Sequence, residues 1–283
     1  MAKIAVELEQ ALQARRMSGE PGTATARVLA QGEGWRVADV ICTSGPEDRP
    51  FEERHSGVSI AVVAAGTFQY RSTAAAELLA PGSFLLGSPD RLYECAHEHG
   101  AGDRCVSFHY TPDLFERIVE SDSRFSAQRL PPMRASAALV ARACAALTCD
   151  VSWEELAIEV AAKTMALAND VDPDAAEPPP SAMARVTRAV RTMEESPLTL
   201  CELAGDARLS PYHFLRTFTR VTGVTPHQFA LRARLRDAAV RLRTEDARVI
   251  DVALDSGFGD VSNFNRAFRA EFGMSPRTYR RCA

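Results

Sequence analysis

The sequence predicts an α+β multidomain chain. A β-barrel or sandwich carrying a helical hairpin comes first, then an all-α part with two helix-turn-helix units joined by a long helix. Three observations lead there. Short apolar or alternating runs, separated by Gly and Pro, occupy residues 27–112. After Pro112 the apolar residues recur at helical spacing. Beyond residue 181 one pattern of helix, tight turn and helix occurs twice, on either side of a long helical stretch.

At roughly 100–200 residues per domain, 283 residues suggest two domains. A hydrophobic fraction of 46% and a charged fraction of 25% are those of an ordinary globular protein. No run of 18 apolar residues exists, so no transmembrane helix and no membrane partner are expected. The opening residues MAKIAVELEQALQARRM lack the basic head and apolar core of a signal peptide, which predicts a cytoplasmic protein. Seven scattered cysteines, an odd number, argue against a disulfide framework. Charge divides unevenly. Residues 181–283 hold 17 Arg, no Lys and 11 acidic residues, a net +6, whereas residues 1–180 hold 16 basic and 26 acidic residues, a net −10. If either half meets a polyanion, it is the second.

Residues 1–26 read as a helical extension. Strand-like runs follow at Trp35–Cys42, Val58–Val63, Thr67–Arg71, Ser83–Leu86 and Cys105–Tyr110, with Ala65-Gly66-Thr67 as a hairpin turn between two of them. Residues 113–170 should be helical, over Asp113–Glu120, Ala135–Leu147 and Trp153–Ala168. The last two would form a hairpin that covers the barrel or also serves a dimer interface, and periodicity leaves both open. Residues 171–181, acidic and proline-rich, read as an extended linker. Residues 182–283 then form the all-helical domain.

In that domain Thr199 is a candidate N-cap for Leu200–Ala207, and Ser210-Pro211 opens a helix that stops at Gly223. Pro226 opens a longer helix to about Arg243. Val249–Ser256 and Val261–Phe272 follow, the second capped by Asp260 and ended by Gly273. The two units, at about 200–222 and 249–272, align as a duplication. Leu200-Cys-Glu-Leu-Ala204, Leu209-Ser-Pro-Tyr-His-Phe214, Phe218 and Gly223 parallel Val249-Ile-Asp-Val-Ala253, Phe258, Phe264, Phe268 and Gly273. Ala204 and Ala253 stand where two helices approach closely, and the i, i+4 phenylalanine pairs supply the buried stripe.

This ordered set, above all Val252-Ala253, Gly257-Phe258, Phe264, Arg266-Ala-Phe268-Arg, Phe272-Gly-Met-Ser-Pro276 and Tyr279-Arg280, resembles the AraC/XylS family of transcription regulators. The resemblance covers about the last hundred residues. It implies a sequence-specific DNA-binding regulator rather than an enzyme, with double-stranded DNA as partner, RNA polymerase as a second partner if it activates, and homodimerisation left open. The groove-facing positions it implies are Pro211, Tyr212, Leu215 and Arg216 in the first unit and Val261, Ser262, Asn265 and Arg266 in the second. Arginine at 216 and 266 suits guanine or phosphate, with neither favoured, and Asn265 suits adenine. Five arginines on the connecting helix (232, 234, 236, 241 and 243) would divide between a solvated face and phosphate contacts. One residue departs from the family pattern: Arg208 stands at the first turn where Gly is usual.

The β segment, through Leu79-Ala-Pro-Gly-Ser-Phe-Leu-Leu-Gly-Ser-Pro89, is similar to the cupin-like barrel that such regulators carry as a sensor of small molecules or other signals. The metal histidine of cupin enzymes would fall near Tyr93, which weighs against a metal-dependent cupin enzyme. No cofactor is required by this reading. A separate group, Cys95, His97, His99 and Cys105, has period-two spacing over its first three members and offers soft and borderline metal ligands, with His55 as a further donor. Structural, metal- or effector-binding and redox roles stay open for it.

Overall fold

Strand alternation sets the architecture of the first 170 residues. In the computed structural model, residues 3–73, 75–97, 102–171, 178–195 and 198–281 are described. Helix α1 (Lys3–Ser18) precedes β1 (Ala24–Gly32), β2 (Trp35–Cys42), β3 (Phe51–Arg54), β4 (Val58–Gly66), β5 (Phe68–Ser72), β6 (Ala76–Leu79), β7 (Phe84–Gly87), β8 (Leu92–Ala96) and β9 (Asp103–Tyr110). Then come α2 (Pro112–Val119), β10 (Arg129–Leu130), α3 (Ala137–Ala145) and α4 (Trp153–Ala168). Two antiparallel sheets result, in the orders β1-β2-β9-β4-β7-β10 and β3-β8-β5-β6.

β4 is buried on both faces, which explains its unbroken apolar run. Ala61 and Val63 pack with Leu85 and Cys105 against Phe68, Tyr70 and Cys95 of the smaller sheet, forming the inside of a sandwich. Val58, Ile60 and Val62 point the other way. With Val37, Phe84 and Phe108 they pack on Leu139, Val140 and Ala143 of α3 and on Leu156, Val160 and Ala161 of α4. The helical pair thus covers the larger sheet.

Three expectations change. Residues 65–67 do not form a hairpin turn: β4 pairs with β7 and β9, whereas β5 pairs with β6 and β8, so the chain changes sheets there. Gly66 has φ 72°, and a Cβ would stand 2.3 Å from the Gly102 carbonyl oxygen, so only glycine suits that corner. Strands β1, β3, β6, β8 and β10 escape the apolar patterns. β1 and β3 are edge strands with polar sequences, ATARVLAQG and FEER, and bury too little to show a period. The helix expected at 135–147 is shorter, because residues 134–136 form a 3-10 turn ahead of α3.

The remaining helices are α5 (Pro180–Glu195), α6 (Leu200–Asp206), α7 (Pro211–Thr222), α8 (Pro226–Thr244), α9 (Val249–Asp255), α10 (Val261–Phe272) and α11 (Pro276–Arg281). One core joins α5, α6 and α7 through Val186, Val190, Leu203, Phe214 and Phe218, and it also takes in Leu78 and Ala80 of the sandwich. A second joins α8, α9, α10 and α11 through Leu235, Ala239, Val252, Phe264, Phe268 and Tyr279, and it takes in Ala141 of α3. Each helical unit therefore has its own core and its own seat on the amino-terminal part. Of the proline-rich segment expected as a linker, 172–177 lie outside the described residues.

Candidate nucleic-acid interface

The two units are built by the same local devices. Thr199 caps α6 in a capping box with Glu202, and Thr225 caps α8 in one with Gln228. Ser210 accepts from the His213 N–H at the start of α7, with Pro211 in the first turn. Asp260 accepts from the Asn263 N–H at 2.7 Å at the start of α10. Gly223 and Gly273 end these helices with φ 79° and 75°. A left-handed residue there lets its N–H reach back to the open carbonyls of the last turn.

The turns correspond as well. Leu209 N–H donates to the Ala204 carbonyl at 2.9 Å, and Phe258 N–H to the Ala253 carbonyl at 3.1 Å. The left-handed residue before each is Arg208, at φ 54°, and Gly257, at φ 79°. Arg208 thus adopts the conformation that glycine takes in the second unit, at a cost of about 1 kcal/mol. The second turn has one residue more, Gly259, between the left-handed position and the cap.

Phe214 and Phe218, and Phe264 and Phe268, are fully buried, which turns the opposite faces of α7 and α10 outward. Pro211, Tyr212, Arg216, Ser262, Asn265 and Arg266 are exposed, and Leu215 and Val261 are half-buried. Tyr212 is 68% exposed, a large aromatic ring with no covering group of its size. The Arg216 guanidinium lies 5.8 Å from the centre of that ring, and Arg266 donates to Asn263 Oδ1 at 3.2 Å. His213 and Asn263 are exposed in the same turns and join the outward face. Neither is among the positions that the family resemblance implies.

The connecting helix α8 uses its arginines differently from a free basic face. Arg232 pairs with Glu271 and donates to the Pro132 carbonyl at 2.8 Å. Arg234 donates to the Gly257 carbonyl at 3.0 Å and covers the Phe258 ring. Arg241 pairs with Glu245 and Asp255, and Arg243 lies over the Tyr279 ring. Four of the five arginines therefore brace the fold.

The second sequence-predicted group lies inside the sandwich. Cys95, His97 and Cys105 are buried there, and His99 falls outside the described residues. The donor atoms that come together belong to Cys42, His97 and Asp103, all within 4.8 Å of one another. His55 is engaged elsewhere, with Tyr70 Oη at 2.9 Å on one ring nitrogen and Ser59 Oγ at 3.0 Å on the other. Burial, with His109 and Arg91 nearby, lowers its pKa to about 4, so that ring is neutral. Tyr93, where the cupin metal histidine would fall, donates to Glu53 at 2.6 Å.

Comparison with known proteins centres on the helical units. The helix-turn-helix domain family matches residues 203–282. The regulatory protein SoxS of Salmonella typhimurium is 35% identical over 86 residues, which cover 30% of this chain and 80% of SoxS. The transcriptional activator NphR of a Rhodococcus species is 37% identical over 103 residues, covering 35% of this chain and only 30% of NphR. The HTH-type transcriptional activator RhaS of Klebsiella pneumoniae is 40% identical over 79 residues, covering 28% of each chain.

Proposed function

Since the chain belongs to the AraC/XylS family of transcription regulators, we propose that it is a sequence-specific DNA-binding regulator that reads two stretches of major groove with α7 and α10, under the control of a signal received by the β sandwich. The observation that carries this reading is the matched exposure of the amino-terminal turns of α7 and α10. Recognition helices of helix-turn-helix proteins touch base edges mainly with those turns.

Tyr212, Leu215 and Val261 supply apolar surface for thymine methyl groups, with Pro211 and Ser262 beside them. Arg216 and Arg266 supply bidentate donors, and Asn265 supplies the amide N–H and carbonyl oxygen that complement the N7 acceptor and N6 donor of adenine. Such a role places the chain in the cytoplasm, with double-stranded DNA as its partner, and makes it a regulator rather than an enzyme. Activation would add RNA polymerase as a second partner, which in vitro transcription from a bound promoter separates from repression. Whether the chain acts as a homodimer is read by sedimentation of the protein with and without DNA.

The test is selection of bound fragments from genomic DNA by the purified full chain, followed by titration of the enriched site. Arg216→Ala and Arg266→Ala should each weaken binding to that site by about 1–3 kcal/mol if the arginine reads a base. Equal binding by the parent and both variants at physiological salt would remove α7 and α10 from the interface.

A further inference from the structure

The buried cluster at one end of the sandwich is unexplained by DNA reading. Cys42 ends β2, and Asp103 begins β9 as its direct cross-strand partner. His97 follows β8 of the opposite sheet. The three side chains come from both sheets and are nearly inaccessible, at 4%, 5% and 5% exposure for Cys42, His97 and Asp103. His97 Nε2 lies 2.7 Å from Asp103 Oδ1, and the Cys105 thiol donates to Asp103 Oδ2 at 3.3 Å. The other ring nitrogen, His97 Nδ1, is buried with no partner at good hydrogen-bond geometry, and the Cys42 side chain is close enough to interact with the ring. In either protonation state the imidazole is one well-formed hydrogen bond short, and leaving a buried polar atom unsatisfied is unfavourable.

We propose that Cys42, His97 and Asp103 bind one divalent transition-metal ion of the zinc type. A thiolate, an imidazole and a carboxylate form the mixed N/S/O set that a borderline ion such as Zn2+ accepts. Binding requires the Cys42 thiol and the protonated His97 ring to release one proton each to solvent, and the thiolate, imidazole and carboxylate then donate to the ion, which replaces the His97–Asp103 hydrogen bond. The Cys105 thiol, 3.3 Å from Asp103 Oδ2, is a further thiol beside the site. An ion here would tie β2 and β9 of one sheet to β8 of the other. The proposal does not depend on the role of α7 and α10.

The full chain, purified with a chelator under reducing conditions, is loaded with Zn2+ or Co2+ and desalted. The expected result is one retained ion per chain, a thiolate-to-cobalt charge-transfer band, and a higher melting temperature with Zn2+, because an ion that binds only the folded state stabilises it. Cys42→Ser should abolish the charge-transfer band, and His97→Gln should weaken binding by at least ~10-fold. Cys201→Ser, at an exposed position of α6, should change neither. Circular dichroism of the metal-free variants checks that they fold. A wild-type chain that retains no metal, or shows no thiolate band with Co2+, overturns the proposal without recourse to any variant. So does full metal retention by both folded Cys42→Ser and His97→Gln.

Discussion

At residue scale, the two left-handed positions in the helix-turn-helix turns give opposed expectations. A Cβ at Gly257 would meet the flexible Arg234 side chain, Cδ at 3.4 Å and Nη1 at 3.8 Å, so Gly257→Ala should be penalised by backbone conformation rather than by crowding. The expected loss is about 1 kcal/mol in urea unfolding. Arg208→Gly relieves the same strain in the first unit. Its gain should be smaller, about 0.5 kcal/mol, because glycine also loses more freedom on folding. A destabilised Arg208→Gly protein would mean that the Arg208 side chain contributes more than its backbone strain removes. Arg216 and Arg266 can be sorted by salt. If either holds a phosphate, its alanine variant should lower the slope of log affinity against log salt by about 1 with sequence preference unchanged. If it reads a base, preference at one position should relax instead.

At element scale, α10 separates seating from reading. Phe268 is fully buried, and its ring lies 5.4 Å from Phe264, 4.5 Å from Phe272 and 5.4 Å from Tyr279. Phe268→Ala should reduce stability by about 3–5 kcal/mol, measured by urea unfolding. Tyr212 on α7 is the converse. Tyr212→Ala should leave stability within about 0.5 kcal/mol of the parent while weakening DNA binding. Ser210-Pro211 and Asp260 at the starts, with Gly223 and Gly273 at the ends, made α7 and α10 legible to the residue, since each helix has a stop and a start that chemistry imposes. The edge strands β1 and β3 were not legible, because a strand that buries little has no apolar period to show.

At the scale of the whole molecule, ionic contacts join segments that sequence keeps far apart. Arg129 of β10 pairs with Glu77 of β6 and donates to the Thr222 carbonyl at the end of α7. A Cβ at Gly223 would lie 2.6 Å from Pro131, so the end of α7 sits hard against the sandwich. On the helix-covered face of the larger sheet, Asp39 is buried and pairs with Arg104, which is 1% exposed and also meets Glu7 of α1. Burial alone would raise the Asp39 pKa, but hydrogen bonds and charge from Arg104 and Arg27 outweigh it and hold the carboxyl below its ordinary value of 3.8. A depressed carboxyl stabilises the fold fully above that value. Its contribution is lost as pH falls through the lower folded value. Stability should therefore drop in acid below about pH 4. Asp39→Asn should remove much of that acid dependence and, by leaving Arg104 buried with less compensation, destabilise the neutral protein by about 3–5 kcal/mol. Thermal unfolding across pH reads both effects, and an unchanged pH profile would refute the assignment to Asp39.

The sequence by itself determined the local chemistry: the caps, the breaks, the phenylalanine pairs, and hence the helices and the outward residues of α7 and α10. These depend on contacts a few residues apart, which spacing records. Tertiary structure decided which distant groups meet. It turned residues 65–67 from a hairpin into a change of sheet, because hydrogen-bond partners are chosen by strands far along the chain. It committed four arginines of α8 to acidic groups, carbonyls and rings, although the sequence showed only a basic helix. It also replaced the period-two set around Cys95 with a convergence of Cys42, His97 and Asp103. Two of those three come from strands paired across a 61-residue separation in one sheet, and the third comes from the opposite sheet. Burial removes such groups from water together, and no spacing rule within a single strand can anticipate that.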